Sequence, residues 1–543
     1  MEKIDYGLNF RFRRNDRIGE AAAEVDDDFL FDCFVDNGDA GTLADSRSSK
    51  RIIVGRTGAG KSALLRVIEQ RHQRVIRLSP DDLALNYLGN SEVIRFFEDA
   101  GANLDLFYQM LWRHVFTVEL LKYKYKITNE NQQESFLQRM GQIFARDRAK
   151  QQAIDYIRAW GKEFWNETEY RVKEITNKLE TDLNAEFEGD ALGSKIKIGG
   201  AEKLSLDEKQ EIITRGNHVV NQIQIKALAD VIKLLKDEVF DDAKDTHLII
   251  IDDLDQRWVD DGLKYKLVRA LIETIKWFRQ LENVKIIVAL RQDLLHRTME
   301  ATRDSGFQSE KYESLYLKLR WSKQQIIEIV DKRLARLVRQ RYTTKSLGVA
   351  ELFPSKISGV SCPDYITNLT FLRPRDAIIF VNECIDRSAD KGQISTSTIN
   401  EAEGTYSQKR LLSLQEEWGY VYPRASDYLK VFARRPYTQK FSEFSEESIR
   451  SWLTDVLLSK DSPDDPIYQL AQQWQIESKI SHFKFLTSLM NALYTIGAVG
   501  IKPDKSTMYW SFYSDYTPNE ADIRPTSTIE LHMAFWRAVG ART

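Results

Sequence analysis

At 543 residues the chain is long enough for about two to four domains with their own cores, and its formal net charge of −3 gives no overall pull toward nucleic acid or an anionic membrane. The three cysteines, Cys33, Cys362 and Cys384, are odd in number and form no metal-ligand spacing, so they read as reduced cytoplasmic thiols. The charged start Met1-Glu-Lys-Ile-Asp and apolar runs no longer than Ile286–Leu290 predict neither a signal peptide nor a membrane span.

The first informative segment is Arg51–Ile68. Arg51–Val54 reads as a short buried strand, and Ala63–Ile68 opens a helix. Between them, Gly55-Arg56-Thr57-Gly58-Ala59-Gly60-Lys61-Ser62 fits G-x-x-x-x-G-K-[ST]. Glycines let backbone N–H groups curl around phosphate oxygens, and the helix N-terminus adds partial positive charge. Gly55 to Ser62, with Ala63 at the helix start, therefore form a candidate nucleotide-binding set. Lys61 is expected to reach the β- and γ-phosphates, and the Ser62 hydroxyl to ligate Mg²⁺.

Arg74–Leu78 is a second strand. A long stretch at 104–240 then reads as helical. Val172, Ile175, Leu179, Leu183 and Phe187 follow helical spacing, and after a break at Gly189 to Gly200 a second helix opens at Ser205 with Glu208 as its capping partner. That second helix carries Ile212, Val219 and Ile223 toward Leu234 and Leu235. The pair suggests a hairpin projecting from the core, either packed on itself or serving as a platform for a partner.

His247–Ile251 is a fully apolar strand that runs into Asp252, Asp253 and Asp255. It is expected beside the phosphate-loop strand, with its carboxyl end facing the phosphates, while analogy with related ATPases offers an added-strand order with a further strand between the two. Asp252 is the candidate Mg²⁺ residue, Asp253 the candidate for polarising an attacking water, and Asp255 a weaker one. The strand Val284–Leu290 ends in Arg291-Gln-Asp293, with Arg297 and Arg303 beyond it, and Leu315–Leu319 is a fifth strand. Helices separating most strands point to a parallel sheet covered on both faces.

A capping box, Ser322 to Gln325, opens a helix rich in Lys332, Arg333, Arg336, Arg339 and Arg341. Its basic face is either a phosphate contact for DNA or the cationic end that helix dipoles favour. Pro374 in Phe371-Leu-Arg-Pro-Arg-Asp suits a first helical turn and would project Arg375, or alternatively Arg373. Further on, the helix Phe483–Tyr494, strands near Val499–Lys502 and Met508–Tyr513, and a turn at Pro503–Ser506 resemble a winged helix. With Lys484 and Asn491 as its only base-reading side chains, this helix looks suited to packing on protein rather than to reading DNA. The domains read as an N-terminal segment 1–45, an ATPase core 46–320, a helical lid 321–419 and a winged-helix-like part 420–543.

The phosphate loop, the Ile-Ile-Ile-Asp-Asp-Leu-Asp run, Leu290-Arg-Gln-Asp293 and Arg373-Pro-Arg-Asp376 together resemble a bacterial branch of the AAA+/STAND division of P-loop ATPases. The chain is similar to a cyanobacterial-type P-loop ATPase family with KAP and origin-recognition-like relatives. Shared features include an acidic segment, here Glu24–Phe34, and a closing aromatic segment, here His532–Trp536. The resemblance implies ATP rather than GTP as ligand, Arg291 as a γ-phosphate sensor, and Arg375 as the lid arginine that couples hydrolysis to lid motion. Arg297 and Arg303 become arginine-finger candidates, although both also read as ordinary basic surface. The insertion is too polar for the membrane helices of KAP proteins. Asp253 replaces the glutamate of many relatives, which implies slow hydrolysis suited to a switch. Two functions follow: a nucleotide-driven switch in stress response or phage defence, which oligomerises or works through a separate effector protein, or a DNA-associated initiator- or loader-like ATPase.

Overall fold

The computed structural model describes residues 10–80, 92–101, 103–126, 180–188, 205–222, 246–256, 258–303, 309–341, 346–504, 507–514, 518–519 and 521–542, with isolated positions between 132 and 142 and between 232 and 240. Val172, Ile175, Leu179, Ile223 and Leu234 lie outside these residues, as do the side chains of Val219 and Arg341. The chain divides into two compact units: Met1–Val35, Thr57–Gly60 and Arg320–Thr543 form one, and Asp36–Arg56 with Lys61–Leu319 forms the other.

The second unit is built on a five-stranded sheet of β1 (Ile52–Gly55), β2 (Val75–Leu78), β3 (His247–Ile251), β4 (Val284–Arg291) and β5 (Tyr316–Lys318). All its pairings are parallel, in the order β2-β3-β4-β1-β5. β1 and β3 are buried along their full length, as strands covered on both faces require. The expected neighbourhood of β1 and β3 is not observed, because β4 lies between them. Each strand is uniformly apolar, so its sequence carries no record of which strand it pairs with.

Helix Asp261–Phe278 covers the sheet and is capped by Asp260, whose carboxylate accepts from the Leu263 N–H at 3.0 Å. Helix Asp105–Tyr125 packs against it, and the Trp112 indole donates to the Leu267 carbonyl at 2.9 Å. The capping box at Ser205 forms: the Ser205 N–H donates to Glu208 at 2.9 Å and the Glu208 N–H to the Ser205 hydroxyl at 3.3 Å. Leu183, Phe187 and Ile212 are buried in the same core as the sheet, so the described ends of the expected hairpin are part of that core. At the amino end of β4, Lys285 is fully buried and donates to the carbonyls of Thr42 (3.1 Å), Asp45 (2.5 Å) and Ser48 (3.4 Å).

In the first unit, helix Lys323–Arg341 opens with the expected Ser322–Gln325 box, and Pro374 begins helix Pro374–Asp386. These pack with helix Thr396–Trp418 and the N-terminal segment in one core. The C-terminal part holds an antiparallel three-stranded sheet of strands Thr438–Lys440, Val499–Lys502 and Thr528–Leu531, with the last in the centre. The partner of Val499–Lys502 is therefore Thr528–Leu531 rather than Met508–Tyr513, which contributes only an isolated bridge between Tyr509 and Ile501. His532 stacks on Phe371 with ring centroids 3.7 Å apart, joining the closing aromatic segment to the turn before Pro374. All three cysteines are free and buried. Among the described residues, no helix is long and apolar enough to cross a membrane.

Candidate functional site

Because every strand of the large sheet runs the same way, the segments following β1, β3 and β4 emerge at one edge, where α/β sheets bind ligands. The register places Gly55 level with Arg291, and Ile251 level with Val288. Lys61 is folded back on its own loop, its Nζ donating to the carbonyls of Gly55 (3.2 Å) and Arg56 (3.3 Å). Burial depresses its pKa, while Asp255 and Asp252 oppose that shift.

Asp252 is buried at the end of β3. Its Oδ1 accepts the Asp253 N–H at 3.0 Å, its carboxylate is hydrogen-bonded by the Ser62 hydroxyl, and its buried Oδ2 has no partner among the described residues. Burial raises the Asp252 pKa, partly offset by the Ser62 bond. An orphaned buried carboxylate oxygen is costly in isolation and fits a cation. No cluster of three or more His, Cys, Asp or Glu side chains able to hold a metal occurs among the described residues. The set matches the Mg²⁺ habit of one or two protein ligands completed by water and phosphate oxygens. Asp253 is half-buried with φ of 62°, a left-handed conformation that a short polar side chain tolerates.

Arg291 is clamped between carboxylates. Its Nε and Nη2 donate to the two Asp293 oxygens at 2.9 Å each, and its Nη1 donates to Asp255 at 3.0 Å. Burial works against its charge, but the two aspartates outweigh it and the pKa lies above the ordinary arginine value. Arg297 shares Asp293, at 2.6 Å, and is no simple surface residue, whereas Arg303 is exposed. Asp293, which organises both arginines, gave no signal of this role in the sequence.

Thr57–Gly60 belongs with the first unit. Gly58 and Gly60 have φ of +77° and +96°, the conformation in which glycine avoids strain. A Cβ on Gly58 would stand 2.9 Å from the Arg375 Cβ. The Arg375 N–H donates to the Gly58 carbonyl at 3.4 Å, and its Nε donates to the Ala21 carbonyl at 3.0 Å. The Trp321 indole N–H donates to the Ala59 carbonyl at 2.8 Å, a contact no motif announced. Arg373, the alternative to Arg375, is buried among Glu417 (3.4 Å) and Asp376 (3.9 Å), and Asp376 also pairs with Arg410. Arg373 is thus a cation of the helical core.

The basic face of helix Lys323–Arg341 is largely taken up by the acidic N-terminal segment. Arg333 is buried against Asp26 at 2.5 Å and also donates to the Ile18 carbonyl, Arg336 pairs with Asp32, and Lys332 reaches the Phe34 carbonyl at 3.3 Å. Of the two readings of this face, the row of phosphate contacts would have to compete with these pairings, although Arg339 is exposed. In the C-terminal part, Lys484 is exposed, and helix His482–Thr495 buries Phe485, Leu486, Thr487, Leu489 and Met490.

The fold and this edge define a mixed α/β protein with a five-stranded parallel sheet, consistent with the P-loop nucleotide-binding fold. The FunZ-associated C-terminal helical domain matches residues 324–415, which run from helix Lys323–Arg341 into helix Thr396–Trp418. Among solved structures, the chain resembles the Walker-type ATPase paby2304 of Pyrococcus abyssi at 14% identity and a TM-score of 0.38, over 88% of this chain and 93% of that one. No curated protein matches the chain.

Proposed function

We propose that the protein is a Mg²⁺-dependent ATPase of the AAA+/STAND type, working as a nucleotide-driven switch. The observation that carries this reading is the meeting of Ser62 with Asp252 across β1 and β3, which leaves one buried carboxylate oxygen unpartnered beside the phosphate loop. Ser62 and Asp252 would hold Mg²⁺, which when bound offsets phosphate charge. Backbone N–H groups from Gly55 to Ala63 bind the phosphates, and Lys61 exchanges its two loop carbonyls for phosphate oxygens. Asp253 orients the attacking water. Arg291 acts as sensor by trading Asp255 for the γ-phosphate, and Arg375 reports it from the lid. The sheet order, with β4 between β1 and β3, supports the added-strand division to which AAA+ proteins belong.

The C-terminal order of helix, strand, helices and two strands, with the last strand central, supports a winged-helix-like module that packs on protein. A cytoplasmic switch acting through an oligomer or a separate effector, in stress response or phage defence, fits this better than a DNA loader, because the basic helix is already paired with the N-terminal segment. The test is ATP binding and phosphate release by the full chain. Lys61→Ala should lose binding at least tenfold, and Asp253→Asn should bind ATP but release phosphate at least 100-fold more slowly, in the range that mutation of such catalytic groups gives. Unchanged phosphate release by both variants would sink the assignment.

A further inference from the structure

We propose that Trp321 is a positioning residue for the phosphate loop: its indole N–H holds the Ala59 carbonyl outward and thereby aims the Gly60 N–H at the bound phosphates. The inference rests on the nucleotide-binding reading above and adds a residue to it.

The argument begins with the peptide plane. In a planar trans peptide the carbonyl of one residue and the N–H of the next point in opposite directions. Fixing the Ala59 carbonyl therefore fixes the direction of the Gly60 N–H, and fixing the Gly58 carbonyl does the same for the Ala59 N–H. Trp321 makes the first bond at 2.8 Å, and the Arg375 backbone makes the second at 3.4 Å. The first is the shorter and better formed. Gly58 and Gly60 both sit at positive φ, where glycine has wide freedom, so this loop cannot hold its own peptide planes by side-chain bulk. The Trp321 ring also lies against the loop, with Cζ2 3.7 Å from where a Gly60 Cβ would stand.

Trp321 suits the task. Indole is a donor only, so the bond has one possible polarity. The ring is half-buried against the core of the first unit, and Ser322, the next residue, is locked by its reciprocal bonds with Gln325. A rigid aromatic at a capped helix start is a better fixed donor than a long flexible side chain. This pre-organises two successive phosphate donors before any ligand arrives.

The experiment compares the wild-type full chain with Trp321→Phe, which keeps an aromatic ring at the helix start but removes the N–H and the Cζ2 edge of the indole. Tyr365→Phe is the control, since it removes one hydrogen bond (to Glu403, 2.8 Å) elsewhere in the same unit. Affinities for MgATP, MgADP and inorganic pyrophosphate are measured by calorimetry, alongside the ligand-free melting temperature. Loss of one neutral hydrogen bond should weaken all three ligands roughly three- to tenfold in the Trp321 variant. Its ligand-free melting temperature should stay close to that of Tyr365→Phe, which should bind like wild type. If Trp321→Phe proves too unstable to handle, Trp321→Met, which also has no donor to offer the Ala59 carbonyl, is predicted to show the same loss. Wild-type affinity in the Trp321 variants, or weakening matched by the control, overturns the proposal. A wild-type chain that binds none of the three ligands overturns the nucleotide-binding reading itself.

Discussion

Gly58 shows how one missing methyl group sets the loop. At φ +77° an alanine costs about 1–2 kcal/mol in strain, and its Cβ would also meet the Arg375 Cβ at 2.9 Å, an atom too close to the backbone to swing away. Gly58→Ala is therefore expected to weaken ATP binding by about tenfold or more, measured by titration with a fluorescent ATP analogue. Asp252 gives a pH dependence. Burial raises its pKa above the ordinary 3.8, so on acidification it takes up a proton at a higher pH than a free carboxylate and then no longer serves a cation. Mg²⁺-dependent nucleotide affinity should accordingly decline on acidification before ordinary carboxylates titrate, while Mg²⁺-independent binding is spared. Calorimetry between pH 7 and about 4.5, with and without Mg²⁺, checks this. The phosphate loop and Asp252 were legible in the sequence because each is a contiguous run on one strand end. Trp321 and Ala21 were not, because each acts across hundreds of residues through one bond, and Asp293 was not, because an acid two residues from one arginine and four from another is ordinary surface patterning until the fold buries it.

All five strands could be read from their apolar runs, within about a residue at each end, because β-branched stretches bounded by polar turns have few alternatives. Their order could not. Ile249, Ile250 and Ile251 would be equally at home beside β1 or β4, and only the packed sheet decides. The C-terminal hairpin differs from its sequence pattern for a related reason: Met508–Tyr513 has the aromatic look of a strand, yet its Trp510 and Phe512 pack around His532 instead. Lys285 was likewise hidden, as a charge inside an apolar strand. Its Nζ satisfies three carbonyls of the 42–48 segment, while burial, and secondarily Arg51, push its pKa down to about 7 against a weaker pull from Asp45. Lys285→Met should cost ~2–4 kcal/mol by leaving those carbonyls unpaired. Between about pH 7 and the ordinary lysine value of 10.5 the unfolded chain binds a proton that the native lysine lacks. Wild-type stability should then rise with pH across that window relative to Lys285→Met. Urea midpoints at pH 7 and 9 for both chains test the sign, and a midpoint that moves identically in both removes Lys285 as the source.

At the scale of the whole molecule, the acidic N-terminal segment is a structural part of the first unit. Its charge appeared in the sequence as a feature of its own, and so did the basic helix more than 300 residues away, but nothing in either run said that they pair. The two contacts differ in environment. Arg333 and Asp26 keep only 5% and 3% of their side chains exposed, and Asp26 also accepts the Glu20 N–H at 2.8 Å. Arg336 and Asp32 are 26% and 64% exposed. A buried pair that loses one partner leaves a desolvated charge uncompensated, at about 3–5 kcal/mol, whereas an exposed pair contributes about 0–1 kcal/mol. Asp26→Ala should therefore lower the unfolding free energy of the first unit by ~3 kcal/mol or more, and Asp32→Ala should leave it nearly unchanged. Added salt separates them further: screening reaches the exposed pair but hardly the buried one, so the Asp26→Ala deficit should persist at 0.5 M NaCl. Chemical denaturation of the full chain, followed by hydrogen exchange in the helix Lys323–Arg341, reads both effects. Equal losses from the two substitutions would mean that net charge, and not the buried pair, anchors the segment.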